Sequence, residues 1–442
     1  MMDVAAKRVD NKILNYFSNY LNAISSYFIA ILDSNALRSK VRNIVRRTER
    51  LTIIFQVVRI GFNQTNIPYL NAIGYRRLKL MDWVIAFVSL VNVLRMTVLI
   101  FNTNETVAIY LGDFFFRSKD RIACLTWTSM AIAIMFAFRE WVLNLEAKGK
   151  LQVLSICNDY KDGFNLITRR MRNRNIQRFR STIFFVSLIL YYAMVTVPIF
   201  MTILFFTPLL TNPWTYKIPR LAFFGTFWLF SVIFAAAFLL NHILGFGWYI
   251  LCAFSFHLFQ FLDLLDWANL LLENNNVLKY TEKDIQSFCL LIIRRLNSFE
   301  MASFKLRYVI FSYVIGYSFV GDIYIFLGVI VRVYSDFLAN LLTIIGVFIL
   351  PTIGVFGFVL GNFITELDKL TIRLHQLTII GKFSVNTMSK IMEIMDRVAG
   401  PYNGVKIGDF ITLEKTFFIL FILENISTLM LFTVNIGPLI SK

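Results

Sequence analysis

The stretch LAFFGTFWLFSVIFAAAFLLNHILGFGWYILC, residues 221–252, decides the fold class, because it runs for more than thirty residues without Asp, Glu, Lys or Arg. About 20 apolar residues are enough for a helix to cross the hydrocarbon core of a bilayer. A helix of this length must therefore tilt or continue into water. The whole chain of 442 residues is 57% hydrophobic and only 16% charged, whereas soluble domains are about 25% charged. These values predict a polytopic membrane protein.

Seven segments are long and apolar enough to be predicted as membrane-spanning helices. They are residues 83–101, 122–143, 181–209, 221–252, 308–333, 340–366 and 413–437. We therefore predict an all-α membrane protein with seven transmembrane helices.

Lysine and arginine are distributed unequally between the segments that flank these spans. The N-terminal region and every second connection hold thirty-four of them, whereas the other connections and the tail hold six. Because basic residues concentrate on the cytosolic side, this alternation predicts a cytosolic N-terminus and an extracellular C-terminus. It argues against G-protein-coupled receptors, whose N-terminus lies outside. The first residues lack the apolar core and cleavage site of a signal peptide, so we expect them to be retained.

The predicted cytosolic parts also have helical patterns. Residues 1–80 form an N-terminal region whose segment 13–33 we interpret as an interfacial amphipathic helix in preference to an eighth span. Residues 253–308 predict a helical hairpin, with Thr281 and Asp284 as a capping box. Residues 367–412 extend the sixth span and contain a helix that stops at Gly400-Pro401. The membrane helices and this helical anchor make up residues 81–412, followed at 413–442 by the last helix and a short extracellular tail.

Several classes of function find no support in the sequence. Four cysteines without paired spacing and three histidines without metal-ligand spacing give no disulfide framework and no metal site. No nucleotide-binding or nucleophile motif occurs in a plausible setting, so we expect neither an enzyme nor a cofactor. The net charge of +17 is explained by basic residues that set topology and touch anionic lipid, and we expect no nucleic-acid partner. The arginines of segment 35–50 suit the anionic inner leaflet, and segment 167–180 fits either lipid or phosphoinositide contact or a topology anchor.

Polar residues inside predicted spans must face protein or water, because they are costly in hydrocarbon. Arg95 of the first span and Asp322 of the fifth are candidates for an ion pair across the bundle. The alternatives are a polar clamp between helices, or an arginine that extends its charge to the interface.

Aromatic side chains collect in the outer halves of the second, third, fourth and sixth spans, where they predict a small-molecule pocket. The candidate residues are Trp127, Met201, Phe205, Phe223, Phe224, Phe227, Trp228, Asp322 and Thr343. The alternative for each aromatic residue is simple packing against lipid or core.

The last predicted helix carries polar side chains along one face. Glu424, Thr428, Leu431 and Asn435 follow one another at steps of four, three and four residues, which places them on one side. Copies of this helix around a pore would form rings of carboxylate, hydroxyl and amide groups that attract cations, and Leu431 would form an apolar constriction. The alternative is that these side chains hydrogen-bond neighbouring helices.

The C-terminal region resembles that of the insect-type gustatory receptor family. In that family the segment before the last helix contains a glycine, a phenylalanine, a leucine and an acidic residue. The last helix itself carries Thr-Tyr, then five hydrophobic residues, then Gln-Phe. The matching positions here are Gly408, Phe410, Leu413 and Glu414, then Thr428-Leu429, MLFTV and Asn435-Ile436. The chain departs from the motif at Leu429, Asn435 and Ile436. Its length, span number and inverted topology agree with the family.

This resemblance implies a chemoreceptor of the plasma membrane that is a small-molecule-gated, non-selective cation channel. It implies a homotetramer or heterotetramer whose last helices line the pore, with a tastant bound in the outer half of the other helices. Asn435 is the best candidate to face the pore. Two alternatives stay open, which are a secondary transporter and a non-channel member of the same fold. A transporter predicts inverted repeats and broken helices, and Pro198 and Pro351 do not occupy matching positions.

Overall fold

The computed structural model describes residues 34–58, 72–155, 171–273, 281–381, 383–400, 404–409, 411–414 and 416–435, and this part of the chain is almost entirely helical. The helices are α1 (Ser34–Ile54), α2 (Ala72–Phe101), α3 (Glu105–Tyr110), α4 (Arg121–Ala147), α5 (Asn173–Thr211), α6 (Pro213–Lys217), α7 (Pro219–Glu273), α8 (Glu282–Ile325), α9 (Asp336–Ile380), α10 (Val385–Val398) and α11 (Phe417–Asn435). A 3₁₀ turn (Gln152–Ser155), a π-helical turn (Phe326–Val331) and two short strands, β1 (Lys406–Ile407) and β2 (Ile411–Thr412), complete the described part.

Six of these helices, α2, α4, α5, α7, α8 and α9, are long and apolar enough to cross a membrane. All six coincide with predicted spans, so the prediction of a helical, multi-pass membrane protein is confirmed. The last helix, α11, holds a shorter apolar stretch, Ile419–Asn435. The seventh span and the sidedness of the termini stay predictions. The predicted interfacial helix 13–33 and the tail after Asn435 lie outside the described residues.

Three helices continue far beyond the thickness of a bilayer. At about 1.5 Å per residue, the 55 residues of α7 extend roughly 80 Å, against a hydrocarbon core of about 30 Å. α8 has 44 residues and α9 has 45. Helix α8 starts at the predicted capping box, where the Asp284 carboxylate accepts hydrogen bonds from the backbone N–H and the hydroxyl of Thr281 (2.9 and 2.7 Å). The predicted continuation of these spans as helices is confirmed.

The extended ends of α7, α8 and α9 pack with α10 into a structure that we call the inner bundle, formed by residues 253–273, 281–307, 365–380 and 385–398 and lying on the predicted cytosolic side. An aromatic cluster of Phe254, Phe261, Phe299 and Phe363, which are all buried, lies where this bundle meets the membrane helices. The rings of Phe299 and Phe363 stack with centroids 4.6 Å apart, and Phe261 meets Phe299 edge-on at 5.3 Å. Aromatic pairs of this kind contribute about 0.5–1.5 kcal/mol each beyond their burial.

A buried ion pair joins the helices that meet below the predicted membrane. The guanidinium of Arg295 on α8 donates to the Asp263 carboxylate of α7 at 3.0 Å, and both side chains are almost fully buried. The same carboxylate accepts hydrogen bonds from the backbone N–H of Arg172 (2.8 Å) and the side-chain amide of Asn175 (3.3 Å) at the start of α5. Three helices therefore share one carboxylate.

The two strands form an antiparallel hairpin that docks on α8 just before the last helix begins. Lys406 pairs with Thr412 and Ile407 with Ile411. The Ser303 hydroxyl of α8 donates to the carbonyl of Gly404 and accepts from the N–H of Lys406, both at 2.9 Å. The chain that leads into α11 is therefore attached to the inner bundle.

Candidate functional site

The polar face that the sequence predicts on α11 is mostly uncovered by the described residues. Glu424, Leu431 and Asn435 are exposed, and Thr428 is half-buried. The hydroxyl of Thr428 donates to the Glu424 carbonyl at 3.0 Å, a local bond that leaves its oxygen available to other groups. Within the described part of the chain, no hydrogen bond or ion pair involves the Glu424 carboxylate.

Helix α11 contacts the rest of the chain through a different face, which contains Phe421, Asn425 and Phe432. The Asn425 amide oxygen accepts a hydrogen bond from Ser318 of α8 at 2.5 Å. The Phe432 ring meets Phe319 and Phe326 edge-on, with centroids 6.0 and 5.6 Å apart. At 100° per residue, this face lies roughly a quarter turn from the polar face. Glu424, Leu431 and Asn435 therefore share one exposed surface, and Thr428 lies at its edge beside the contact face.

Most of the circumference of α11 beyond its contact face is apolar and equally uncovered. The exposed large side chains are Ile419, Leu420, Ile422, Leu423, Ile426, Met430, Leu431 and Val434. Lipid is a suitable environment for these side chains but an unfavourable one for the Glu424 carboxylate, because a charge in hydrocarbon costs several kcal/mol. Helix α11 thus combines an apolar surface that suits lipid with a charged group that requires water or protein around it.

A separate apolar cavity of about 70 Å³ lies within the helical bundle formed by α4, α5, α7, α8 and α9. Three of the predicted pocket residues, Trp127, Met201 and Phe205, line it. Tyr324 and Leu342 close it on the side of α8 and α9. The correctly predicted lining residues thus come from two of the five helices, α4 and α5, and those of α7, α8 and α9 were not predicted.

The lining of this cavity is chemically simple. None of its described lining residues is charged, and the Thr128 hydroxyl already donates to the Cys124 carbonyl at 2.7 Å. A second cavity of about 60 Å³ shares Met201 and Tyr324 with the first and extends towards Gly316 and Tyr317. The buried Tyr317 hydroxyl has no hydrogen-bond partner among the described residues. The two cavities suit small apolar molecules that offer few hydrogen-bonding groups.

The turn between α8 and α9 closes the predicted outer end of the first cavity. Val333 lines the cavity, and Tyr334 follows with a left-handed backbone (φ 68°). Two contacts hold this uncommon conformation, since the Tyr334 N–H donates to the Asp120 carboxylate at 3.0 Å and its hydroxyl donates to the Pro208 carbonyl at 2.8 Å. Burial raises the pKa of Tyr334, which keeps the hydroxyl protonated and able to donate.

Two other predicted pocket residues, Phe224 and Trp228, belong to a separate cluster around Arg95. The ring of Phe224 meets Tyr110 edge-on at 5.2 Å, and the guanidinium of Arg95 lies 4.9 Å from the ring centre of Trp228. Arg95 donates to the carbonyls of Leu111 (2.6 Å) and Gly112 (2.7 Å). This cluster holds the α3 turn against the membrane helices. Phe223 and Phe227 are exposed on α7.

Of the alternatives for Arg95 and Asp322, the ion pair across the bundle is wrong. Two backbone carbonyls and two aromatic rings surround the Arg95 guanidinium instead. Asp322 is buried on α8, and its Oδ1 atom has no hydrogen-bond partner in the described part of the structure. The Thr343 hydroxyl donates to the Ala339 carbonyl at 2.9 Å. Neither Asp322 nor Thr343 is among the described residues that line the two cavities.

Among the described residues, no group of three or more His, Cys, Asp or Glu side chains is placed to hold a metal ion. Fold and site together define a multi-pass helical membrane protein with an internal apolar cavity and an uncovered polar stripe on its last helix. No protein-family profile matches the sequence, and its comparison with curated proteins gives no match. The gustatory receptor resemblance therefore stays a prediction.

Proposed function

We propose that the protein is a chemoreceptor channel of the plasma membrane, in which several copies of α11 surround a cation pore and a small apolar molecule in the internal cavity controls its opening. The observation that carries the proposal is the uncovered stripe of Glu424, Thr428 and Asn435. In a single chain within lipid this stripe would contact hydrocarbon, whereas around a central axis it would contact water and ions.

A tetramer is the assembly that the gustatory receptor resemblance implies, as a homotetramer or with a partner subunit. Four stripes would form three polar rings, with Leu431 between the rings of Thr428 and Asn435. A carboxylate ring concentrates cations, and an apolar ring closes a narrow pore when water leaves it. The proposal therefore assigns cation attraction to Glu424 and closure to Leu431.

The cavity lining supports a particular class of ligand. An uncharged, mostly aliphatic and aromatic wall cannot replace the many hydrogen bonds that a sugar makes with water, so a sugar would bind poorly. A small apolar molecule with one or two polar atoms fits better. Such a ligand opens the pore only if it binds the open state more tightly than the closed state.

The test is whole-cell current from cells that express the full chain alone, during application of a panel of small apolar compounds and sugars. We expect a cation current evoked by apolar compounds. In single-channel recordings of the Glu424→Gln variant, the unitary conductance is expected to fall by about twofold or more, because a ring of fixed negative charge is lost.

Two threonines on α11 provide a matched pair of variants. Thr428 lies on the stripe and Thr433 lies on the opposite side, and each hydroxyl donates to the carbonyl four residues earlier (3.0 and 2.7 Å). We expect Thr428→Ala to change ion permeability and Thr433→Ala to leave it unchanged. Equal effects of both variants would contradict the pore assignment. Silence of the chain with confirmed surface expression would contradict a self-sufficient channel and favour a partner subunit or a non-channel role.

A further inference from the structure

Helix α1 (Ser34–Ile54) is strongly basic on the side that the described residues leave uncovered. It carries six basic side chains and a single acidic one, Glu49. Arg47 and Arg50 are exposed, whereas Val41, Val45 and Thr48 on the other side are buried. The helix therefore has one face that packs on protein and another that presents guanidinium groups.

The contact of α1 with α5 fixes the position of these arginines along the bundle. The Thr48 hydroxyl donates to the Ser187 carbonyl of α5 at 3.2 Å. Only two residues beyond Ser187, α5 presents its first exposed large apolar side chain, Ile189, which is 66% exposed, and Tyr192 follows. Arg47 and Arg50 thus lie at the level where the apolar, lipid-facing surface of the neighbouring helix begins.

The same face of α1 becomes apolar immediately above its arginines. Ile53 and Ile54 are 43% and 58% exposed, and they follow Arg50 and Arg47 at helical spacings that keep them on one side. A membrane surface has a layer of phosphate headgroups and, deeper in the bilayer, a layer of acyl chains. The guanidinium groups match the headgroup layer, and the isoleucines that follow them match the acyl-chain layer. The uncovered face of α1 is therefore ordered in the same way as a lipid leaflet.

Helix α5 adds positive charge without any acidic residue of its own. Arg174 and Arg178 are exposed below the Ser187 contact. Arg180 is half-buried and lies close enough to Arg38 of α1 for the two charges to repel each other. An anion at this junction would relieve that repulsion.

We propose that the face of α1 formed by Arg47, Arg50, Ile53 and Ile54, together with the neighbouring arginines of α5, is a binding surface for anionic lipid headgroups of the adjacent leaflet. The phosphate groups contact the guanidinium groups, and the acyl chains contact the two isoleucines. Arginine suits this role because its planar donors match phosphate oxygens in pairs. This surface is independent of the proposed pore and its ligand.

The test uses purified full-length protein in uncharged detergent and titration calorimetry with short-chain phosphatidylserine, a short-chain phosphatidylinositol bisphosphate, short-chain phosphatidylcholine and inorganic phosphate. We expect the two anionic lipids to bind and phosphatidylcholine not to bind. Each basic side chain near an anionic membrane surface contributes about fivefold to binding. The double variant Arg47→Gln/Arg50→Gln is therefore expected to raise the dissociation constant by about 25-fold.

Two further variants separate the possible outcomes. Arg294 is also exposed, but on α8 in the inner bundle, and Arg294→Gln is expected to leave the affinity unchanged. Ile53→Ser/Ile54→Ser is expected to weaken lipid binding without changing the response to inorganic phosphate. Equal binding of phosphatidylcholine, equal loss in the Arg294 variant or unchanged affinity in the double arginine variant would each overturn the proposal. Tight binding of inorganic phosphate that depends on Arg47 and Arg50 would show a site for free phosphate instead.

Discussion

At the scale of single residues, Arg95 shows how a buried charge can be held in place without a carboxylate in contact. Its two hydrogen bonds end on the carbonyls of Leu111 and Gly112, which turn inward after α3. Gly112 has φ +59°, and a Cβ there would lie 2.6 Å from the Phe224 carbonyl oxygen. Only a residue without a side chain lets this turn approach α7 so closely. The hydrogen bonds of Arg95 therefore depend on a turn that requires Gly112.

We expect Arg95→Lys to destabilise the protein although the charge is kept. A lysine has no planar fork of donors, so it cannot bond both carbonyls and stack on Phe114 and Trp228 at once. A hydrogen bond from a charged donor contributes about 1.5–3 kcal/mol, and we expect a loss of about 2 kcal/mol. The measurement is the unfolding temperature of the purified protein.

The control for this substitution is Arg220→Lys, because Arg220 is exposed at the start of α7. It is expected to unfold at the temperature of the unchanged protein. An Arg95→Lys variant as stable as this control would show that the turn after α3 is held by other contacts.

Some residues could be identified from the sequence and others could not. The four-three-four spacing of Glu424, Thr428, Leu431 and Asn435 was visible, because helical periodicity decides which side chains share a face. Asn425 was missed, although its side chain accepts the hydrogen bond that attaches α11 to Ser318. A polar side chain inside an apolar helix indicates that a hydrogen-bond partner exists, but this partner, Ser318, lies 107 positions away in sequence. The partners of Arg95 are backbone carbonyls, which leave no trace in side-chain patterns.

At the scale of elements, the outer parts of α8 and α9 approach each other closely because of small residues. A Cβ at Gly346 would lie 2.8 Å from the Gly321 carbonyl oxygen and 3.0 Å from the Ile325 backbone nitrogen. These are backbone atoms, which cannot move aside as a side-chain tip can. The close contact continues into the π-helical turn Phe326–Val331, where a Cβ at Gly328 would lie 2.5 Å from the Ala339 carbonyl oxygen. This turn also forms part of the cavity wall through Leu327.

We expect Gly346→Ala to push α8 and α9 apart, since overpacking of a tight contact costs about 1–3 kcal/mol. The matched control is Gly316→Ala on α8, because a Cβ there would meet nothing within 4 Å. Replacing a mid-helix glycine by alanine favours the helix by about 0.5–1 kcal/mol, so the control is expected to unfold at an equal or higher temperature. A Gly346→Ala variant as stable as the control would show that α8 and α9 can move apart without loss of stability.

The elements themselves were predicted well from hydrophobic periodicity and capping. Six predicted spans coincide with long apolar helices, and the capping box at Thr281 marks the start of α8. The helix after Ser384 ends at Val398, just before the predicted stop at Gly400. The π-helical turn at Phe326–Val331 and the hairpin of β1 and β2 were not predicted. Both depend on tertiary contacts and have no pattern of their own in the sequence. A two-residue strand, for example, has too few positions to show the alternation of apolar and polar residues.

At the scale of the whole molecule, the sequence predicted a helical anchor but not what holds it together. The buried pair of Asp263 and Arg295 also receives the N-terminal end of α5 through Arg172 and Asn175. These groups come from three separate parts of the chain, so no local pattern could join them. This junction connects the inner bundle with helices that line the apolar cavity.

We expect Arg295→Met to destabilise the protein by about 3–5 kcal/mol, because it leaves the Asp263 carboxylate buried without its cation. Adding Asp263→Asn removes that uncompensated charge, while the amide oxygen still accepts the bond from the Arg172 N–H. The double variant is therefore expected to be more stable than Arg295→Met alone. The measurement is thermal unfolding of the purified full-length chain at neutral pH.

The pair of Arg397 and Glu300 offers the matched control at the surface of the same bundle. Its atoms are 2.7 Å apart, but the two side chains remain 37% and 41% exposed. Exposed ion pairs contribute about 0–1 kcal/mol, so Arg397→Met is expected to change the unfolding temperature little. If Arg295→Met were equally mild, or if the double variant were the least stable of the set, the buried charge would not be what joins the helices. The aromatic cluster around Phe299 would then be the main connection between the inner bundle and the membrane helices.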